Sequence, residues 1–284
     1  MNAAELYNRM ETDFSLAICT DDWSEMAANE YITAHYLKRY MGLVTDNADT
    51  IKYAYTAVFP SQKVIEKIIN DNRSEALLFV HHPMIWDITK NPAFTDIPIS
   101  LLQALRERKI SIYNLHVPLD SNATPYGTTL NLAKALGINI TDAFCEYGGV
   151  NVGIIGTVAY ETTAALQQHF NNIVGHKTAL YPYGGDAIDN QTIALVAGGG
   201  NMAEEYPILR ERGINTYITG IAKMVESFPP SVEAHNAAKE NKVNILAGSH
   251  YSTEKFACIK MVEYFEKLGI AGEFVLDVPC LEDM

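Results

Sequence analysis

Residues 76–80 read Ala-Leu-Leu-Phe-Val, an unbroken apolar run with a helical pattern on either side. A run of that length and composition suits a strand buried on both faces, and such strands belong to parallel sheets covered by helices. The preceding pattern, residues 63–70, places Val64, Ile65, Ile68 and Ile69 on one helical face. Beyond the run, 101–109 reads as a helix. Residues 110–115, Ile-Ser-Ile-Tyr-Asn-Leu, read as a β-branched and aromatic strand, and 128–136 as a helix closed by Gly137. Strand–helix alternation of this kind predicts an α/β fold with mixed sheets.

A second block repeats the alternation. Strands are expected at 150–158, 192–197, 214–219, 243–247 and 273–278, and helices at 164–172, 202–212, 232–240 and 254–268. Asn201 is the expected N-cap of the 202–212 helix, with Glu204 and Glu205 in its first turn and Gly213 past its end. The softest stretches lie near 137–150 and 240–247. They predict two α/β lobes, the second inserted into the first: residues 1–137 with 245–284, and residues 138–244.

Composition narrows the function classes. With 48% hydrophobic and 19% charged residues, the chain can bury enough surface to offset its entropy, which excludes a disordered protein. A net charge of −13 argues against a nucleic-acid partner, since phosphate backbones reward clustered Lys and Arg. Cys19, Cys145, Cys258 and Cys280 are too scattered for a zinc ribbon and too few for a disulfide framework. No apolar run approaches the roughly 18 residues of a membrane span, and the first residues lack the basic-then-apolar pattern of a signal peptide. The expectation is a soluble cytoplasmic protein without membrane contact.

The residues that carry chemistry all follow expected strands. His81 and His82 come directly after 76–80, with Pro83 next. His116 and Asp120 follow 110–115, and His250 follows 243–247, with Glu254 four residues further on. Ligands of open α/β sheets gather outside the carboxyl ends of strands. Imidazole and carboxylate together suit Zn, Fe, Mn, Co or Ni, and the absence of cysteine argues against a soft thiolate site. His250 and Glu254 face one point if their helix starts by Ser252 or slightly earlier. Neighbouring strand residues point to opposite faces, so His81 and His82 can act together only where the strand ends and twists, an end that Pro83 enforces.

Each piece also has an ordinary reading. A lone histidine is usually a surface or satisfied core residue, the expectation for His35, His169, His176 and His235. His250 with Glu254 could be a pair at a helix start. Only the joint arrangement points to a metal. The three glycines at 198–200 lack Walker spacing and any G-x-G-x-x-G, and the acidic residues after them would repel an anion. They read as a packing turn.

Three strings, LLFVHHPMIWD, HVPLDSNATPYGTTLNLAKALGI and ILAGSHYSTE, resemble the NIF-three-like family of dinuclear metal-centre hexameric proteins, whose members are often labelled GTP cyclohydrolase type-two homologs. The similarity is spread over most of the chain. It implies metal ligands at His81, His82, Asp120, His250 and Glu254, with Glu254 bridging two divalent transition-metal ions. It also implies two α/β lobes and a homohexamer built as a trimer of dimers. His116 matches the motif's first histidine and is taken as a residue beside the ions, facing substrate or shuttling a proton. The chain departs from the family pattern in three places. Ser249 intervenes between Gly248 and the late histidine, Ile221 follows Thr219-Gly220 where many members have Glu, and Val58-Phe59-Pro60 replaces Leu-Asp.

Two functions are consistent with these residues. The first is a metal-dependent hydrolase in which a metal-bridging hydroxide attacks a small molecule, a nucleotide or phosphoester among the options, in the manner of a GTP cyclohydrolase or a phosphoesterase. The second is a non-catalytic metal-binding hexamer that regulates or scaffolds partner proteins. Few protein ligands for two ions leave water positions open, which favours the first.

Overall fold

In the computed structural model, which describes residues 1–284, Ala76–Val80 is a strand buried at every position. In chain order the first elements are α1 (Ala3–Asp13), α2 (Tyr36–Arg39), β1 (Gly42–Thr45), β2 (Tyr53–Ala57), α3 (Gln62–Asn70) and β3 (Ala76–Val80). A small hairpin of β4 (Ile85–Trp86) and β5 (Phe94–Thr95) follows, then α4 (Ile99–Glu107), β6 (Ile110–Asn114) and α5 (Val117–Asp120). Next come α6 (Thr128–Ala135), β7 (Asn139–Tyr147), β8 (Val150–Thr157), α7 (Thr163–Val174), β9 (Ala179–Tyr181) and β10 (Thr192–Leu195). The last are α8 (Glu205–Glu211), β11 (Thr216–Thr219), α9 (Pro229–Asn241), β12 (Asn244–Ala247), α10 (His250–Lys267) and β13 (Ala271–Phe274).

The chain divides into two units. The first comprises Met1–Tyr126, Gly148–Val150 and Ala257–Val278; the second comprises Gly127–Tyr147, Asn151–Phe256 and Pro279–Met284. The first unit holds a five-stranded sheet of order β1-β6-β3-β2-β13, parallel except for β1. Its core is Val64, Ile65 and Ile68 of α3 and Leu102 and Leu105 of α4 against Leu78, Val80, Ile110 and Ile112 of the sheet. Ser61 caps α3 by accepting the Val64 N–H, which starts that helix where its apolar stripe begins.

The second unit holds a six-stranded sheet of order β7-β8-β10-β11-β12-β9, in which β10, β11 and β12 run parallel. Its core packs Leu132, Leu136, Leu166 and Phe170 onto Ile193, Leu195, Ile218 and Leu246. Each such fully buried aliphatic or aromatic side chain contributes roughly 1.5–3 kcal/mol.

Some expected boundaries move. Residue 245 cannot be a lobe boundary, because it lies inside β12, hydrogen-bonded to β11 on one side and β9 on the other. The helix 128–136, expected in the first lobe, packs in the second unit's core. The helix expected from 202 starts only at Glu205. Asn201 does not cap it: its side-chain oxygen accepts the Tyr206 hydroxyl instead. The last helix starts at His250, four residues before the expected 254, and the last strand covers 271–274 in place of 273–278.

Candidate metal centre

In the first unit, β3 and β6 are parallel neighbours with Val80 opposite Asn114. Residues following them therefore leave the same sheet edge. Past the end of β3 the backbone stays tied: His81 N–H donates to Ala57 O at 3.1 Å and His82 N–H to Val58 O at 2.9 Å. Both imidazoles are fully buried, with ring centres 4.3 Å apart and planes at 66°. The end of the strand thus brings two adjacent histidines side by side, as their position before Pro83 requires.

The first histidine is oriented by a carbonyl. His81 Nδ1 lies 2.9 Å from Leu115 O, which can only accept, so Nδ1 carries the proton and Nε2 is left as a donor of electrons. His81 Nε2 stands 3.5 Å from Asp120 Oδ1, and His116 Nε2 stands 3.7 Å from Asp120 Oδ2. Asp120, one helical turn after His116, therefore offers one oxygen to each ring. The imidazoles of His81, His82 and His116 place ligand nitrogens within 4.8 Å of one another.

His116 is held from its other side as well. Its Nδ1 donates to Asp21 Oδ1 at 3.0 Å. Burial pushes the His116 imidazolium pKa down, but the charge and hydrogen bond of Asp21, with the charge of Asp120, outweigh burial and raise it above its ordinary value. Aromatic rings close the cluster. Phe59 stacks on His82 at 4.7 Å, and Trp23 meets His82 and His116 edge-on at 5.5 and 5.0 Å.

In the second unit, β12 runs directly into α10, whose first residue is His250. One turn on, Glu254 Oε1 lies 3.2 Å from His250 Nε2, and both side chains are 3% exposed. The helix start is fixed by Asp283, whose Oδ2 accepts the His250 N–H at 3.0 Å, and by Ser249, whose Oγ accepts the Ser252 N–H at 3.2 Å. Gly198, with φ +70°, passes so close that a Cβ there would collide with the Glu254 carboxylate. Its N–H donates to Thr253 Oγ1, and its carbonyl accepts Gly220 and Ile221. The glycine turn is thus a packing device for α10, and the Gly198 amide is committed rather than turned toward a phosphate.

In the first unit the imidazoles of His81, His82 and His116 converge beside the Asp120 carboxylate, with no thiolate among them. That donor set fits borderline divalent ions such as Zn, Fe, Mn, Co or Ni, and it makes this cluster a candidate metal-ion site. The other histidines are engaged elsewhere. His235 bonds Ala222 O and Tyr183 Oη, His169 bonds Leu136 O, His176 bonds Ser252 Oγ, and His35 lies 3.8 Å from Glu11.

Sequence reasoning missed Asp21, Trp23 and Asp283. The first two lie in Thr-Asp-Asp-Trp, inside a stretch where no period announces an element, and Asp283 lies in the last few residues. Nothing local links residue 21 to residue 116 or residue 283 to residue 250. The one available signal is a tryptophan beside acidic residues, in a chain with two tryptophans.

Comparison with known proteins gives the family and the fold. The family model Duf34/NIF3 (NGG1p interacting factor 3) matches residues 32–282. A "GTP cyclohydrolase 1 type 2 homolog" of Treponema pallidum (strain Nichols) is 29% identical over 226 residues, covering 72% of this chain and 78% of that one. A protein of the same name from Archaeoglobus fulgidus is 28% identical over 241 residues, covering 84% and 89%. Among solved structures, protein ybgI, described as of unknown function, superposes with TM-score 0.74 at 20% identity over 99% of this chain and 100% of that one. Reduced HcgD from Methanocaldococcus jannaschii gives 0.67 at 22% identity over 96% and 97%. At these identities the structural likeness speaks for the fold.

Proposed function

The chain belongs to the Duf34/NIF3 family, and from that premise we propose that it is a metal-dependent hydrolase of a small molecule, a nucleotide or phosphoester in the first instance. The proposed ligands are His81, His82, Asp120, His250 and Glu254, holding two divalent transition-metal ions. The observation that carries the reading is the orientation of His81. Its Nδ1 is spent on a backbone carbonyl, and its Nε2 is aimed at Asp120. Histidines that bind metals are characteristically tied through the other ring nitrogen in this way.

When bound, the ions would supply acidified water and polarise a phosphoryl or carbonyl oxygen. The protein's own residues do the rest. Asp120, partly buried, and Glu254, almost fully buried, each bring a negative charge that would offset a cation. Phe59 and Trp23 wall off bulk water around His82 and His116. His116, with Nδ1 occupied by Asp21, moves a proton at Nε2. The relatives named as GTP cyclohydrolase homologs make purine-nucleotide ring opening one reaction to test beside phosphoester cleavage.

The test is elemental analysis of the purified protein, followed by a panel of nucleotide, phosphodiester and amide substrates with Mn, Zn, Fe and Co. About two ions per chain together with metal-dependent turnover supports the reading. Full loading with no turnover on any of them supports a metal-binding scaffold instead. The hexamer implied by the family likeness belongs to the same proposal, and light scattering of the purified protein checks it.

A further inference from the structure

Residue 21 precedes the span 32–282 that the family model matches, so that match does not extend to the hydrogen bond from His116 to Asp21. The Asp21 side chain is 1% exposed. A carboxylate buried that deeply is costly unless its oxygens are satisfied. Here His116 Nδ1 lies 3.0 Å from Oδ1 and 3.1 Å from Oδ2, and the Asp22 N–H donates to Oδ1 at 3.0 Å.

The loop that carries Asp21 is itself anchored. The Thr20 N–H donates to Gly148 O at 2.9 Å, and Gly148 sits so close that a Cβ on it would strike Thr20 O. Two residues past Asp21, the Trp23 ring is 3% exposed and meets the His116 ring at 76°. His116 is therefore gripped in its plane by Asp21 and against its ring by Trp23. Its remaining nitrogen is left facing Asp120 at 3.7 Å.

We infer that Asp21 is a positioning residue: by accepting the Nδ1–H of His116 it fixes the tautomer and ring orientation of that imidazole, so that Nε2 is the nitrogen presented to the Asp120 side of the cluster. The alternative tautomer would place a proton on Nε2 and leave two acceptors, Nδ1 and a buried carboxylate, facing each other. That mismatch holds the ring in one state. The functional meaning of the inference rests on the hydrolase reading above. The orientation itself does not.

The experiment uses full-length protein labelled with nitrogen-15 at histidine and loaded with zinc, which is diamagnetic. The unmodified protein is expected to show one imidazole with Nδ1 protonated and its proton moved far downfield by the carboxylate. His116→Gln assigns that signal by abolishing it. Asp21→Asn and Asp21→Ala should each remove the downfield proton, and Asp21→Glu should restore it in part. Persistence of that proton in Asp21→Ala, or an unprotonated Nδ1 in the unmodified protein, overturns the inference. Circular dichroism of Asp21→Asn, which is nearly isosteric, guards against misfolding.

In the same preparations, bis(p-nitrophenyl) phosphate is the activity probe. Asp21→Ala should keep its metal and lose about 10–100-fold in kcat, with partial rescue by Asp21→Glu. A loss of turnover that only mirrors a loss of metal would argue for a merely structural residue and overturn the inference. If the unmodified protein turns nothing over, the hydrolase reading falls, and the nitrogen-15 spectrum still decides the role of Asp21.

Discussion

Gly198 and Glu254 share one space: a Cβ on residue 198 would stand inside the contact shell of Glu254 Oε1. The carboxylate of α10 can lie where it does only because the turn after β10 carries no side chain there. Gly198→Ala is therefore expected to act first on Glu254. The left-handed φ of +70° adds a backbone cost of about 1–2 kcal/mol for any other residue. Metal content should fall well before the fold is lost, so elemental analysis should show a larger change than thermal unfolding.

Removing proposed ligands should separate binding from folding. His82→Ala and Glu254→Ala are expected to lower metal content from about two ions per chain while leaving circular dichroism unchanged. Full metal retention in both variants would sink the ligand assignment. Both side chains are almost fully buried, so a stability cost of about 1–3 kcal/mol accompanies each change and should be read separately by urea denaturation.

Ser249 sits at φ +65°, a conformation that favours glycine. Its hydroxyl repays part of that cost by accepting the Ser252 N–H. Exchanging Ser for Gly at a cap loses only a few tenths of a kcal/mol, whereas relief of the left-handed strain gains about 1 kcal/mol. Ser249→Gly is thus expected to stabilise the protein by roughly 0.5–1 kcal/mol, measured as a rise in the urea midpoint. A fall would show that the cap outweighs the strain.

The buried His235 gives stability a pH dependence of known sign. Burial lowers its pKa below the ordinary 6.5; the Ala222 carbonyl opposes this and Lys239 adds to it. Nε2 faces the Ala222 carbonyl, which can only accept, so in the neutral ring that the lowered pKa favours Nδ1 accepts the Tyr183 hydroxyl. The unfolded chain binds the proton more readily, so this stabilisation is complete above 6.5 and is lost as pH falls from there through the lowered folded value. Urea denaturation of His235→Gln between about pH 5 and 8 should show lower stability at the alkaline end and a shallower decline toward acid than the unmodified protein.

Strands and helices with a strong period were legible in the sequence. The run 76–80 is β3 without adjustment, and 63–70 differs from α3 only at its start, where Ser61 caps one residue earlier. Elements without a period were not. The nine residues of β7 are mostly exposed on both faces, so no alternation marks them, and β1 is four residues long. Helix starts followed the same logic. Ser249, whose hydroxyl accepts the Ser252 N–H, is a local signal for α10, but the cap on the His250 N–H comes from Asp283, distant in sequence.

The sequence by itself determined the α/β class, the strand ends that carry His81, His82, His116, Asp120, His250 and Glu254, and the nitrogen-and-oxygen character of the donors. Those features are local: apolar period sets the element, and side-chain chemistry sets which ions the candidate site would suit. Only the tertiary structure decided that α10 starts at His250 and so puts Glu254 one turn beyond it. It likewise decided that Gly198 clears space for that carboxylate and that Asp21 locks His116. The reason is that the hydrogen bonds between Asp21 and His116 and between Asp283 and His250 join residues 95 and 33 positions apart in the chain. A buried acceptor is chosen by what the fold brings within 3.0 Å of it, and no local pattern of residues records that choice.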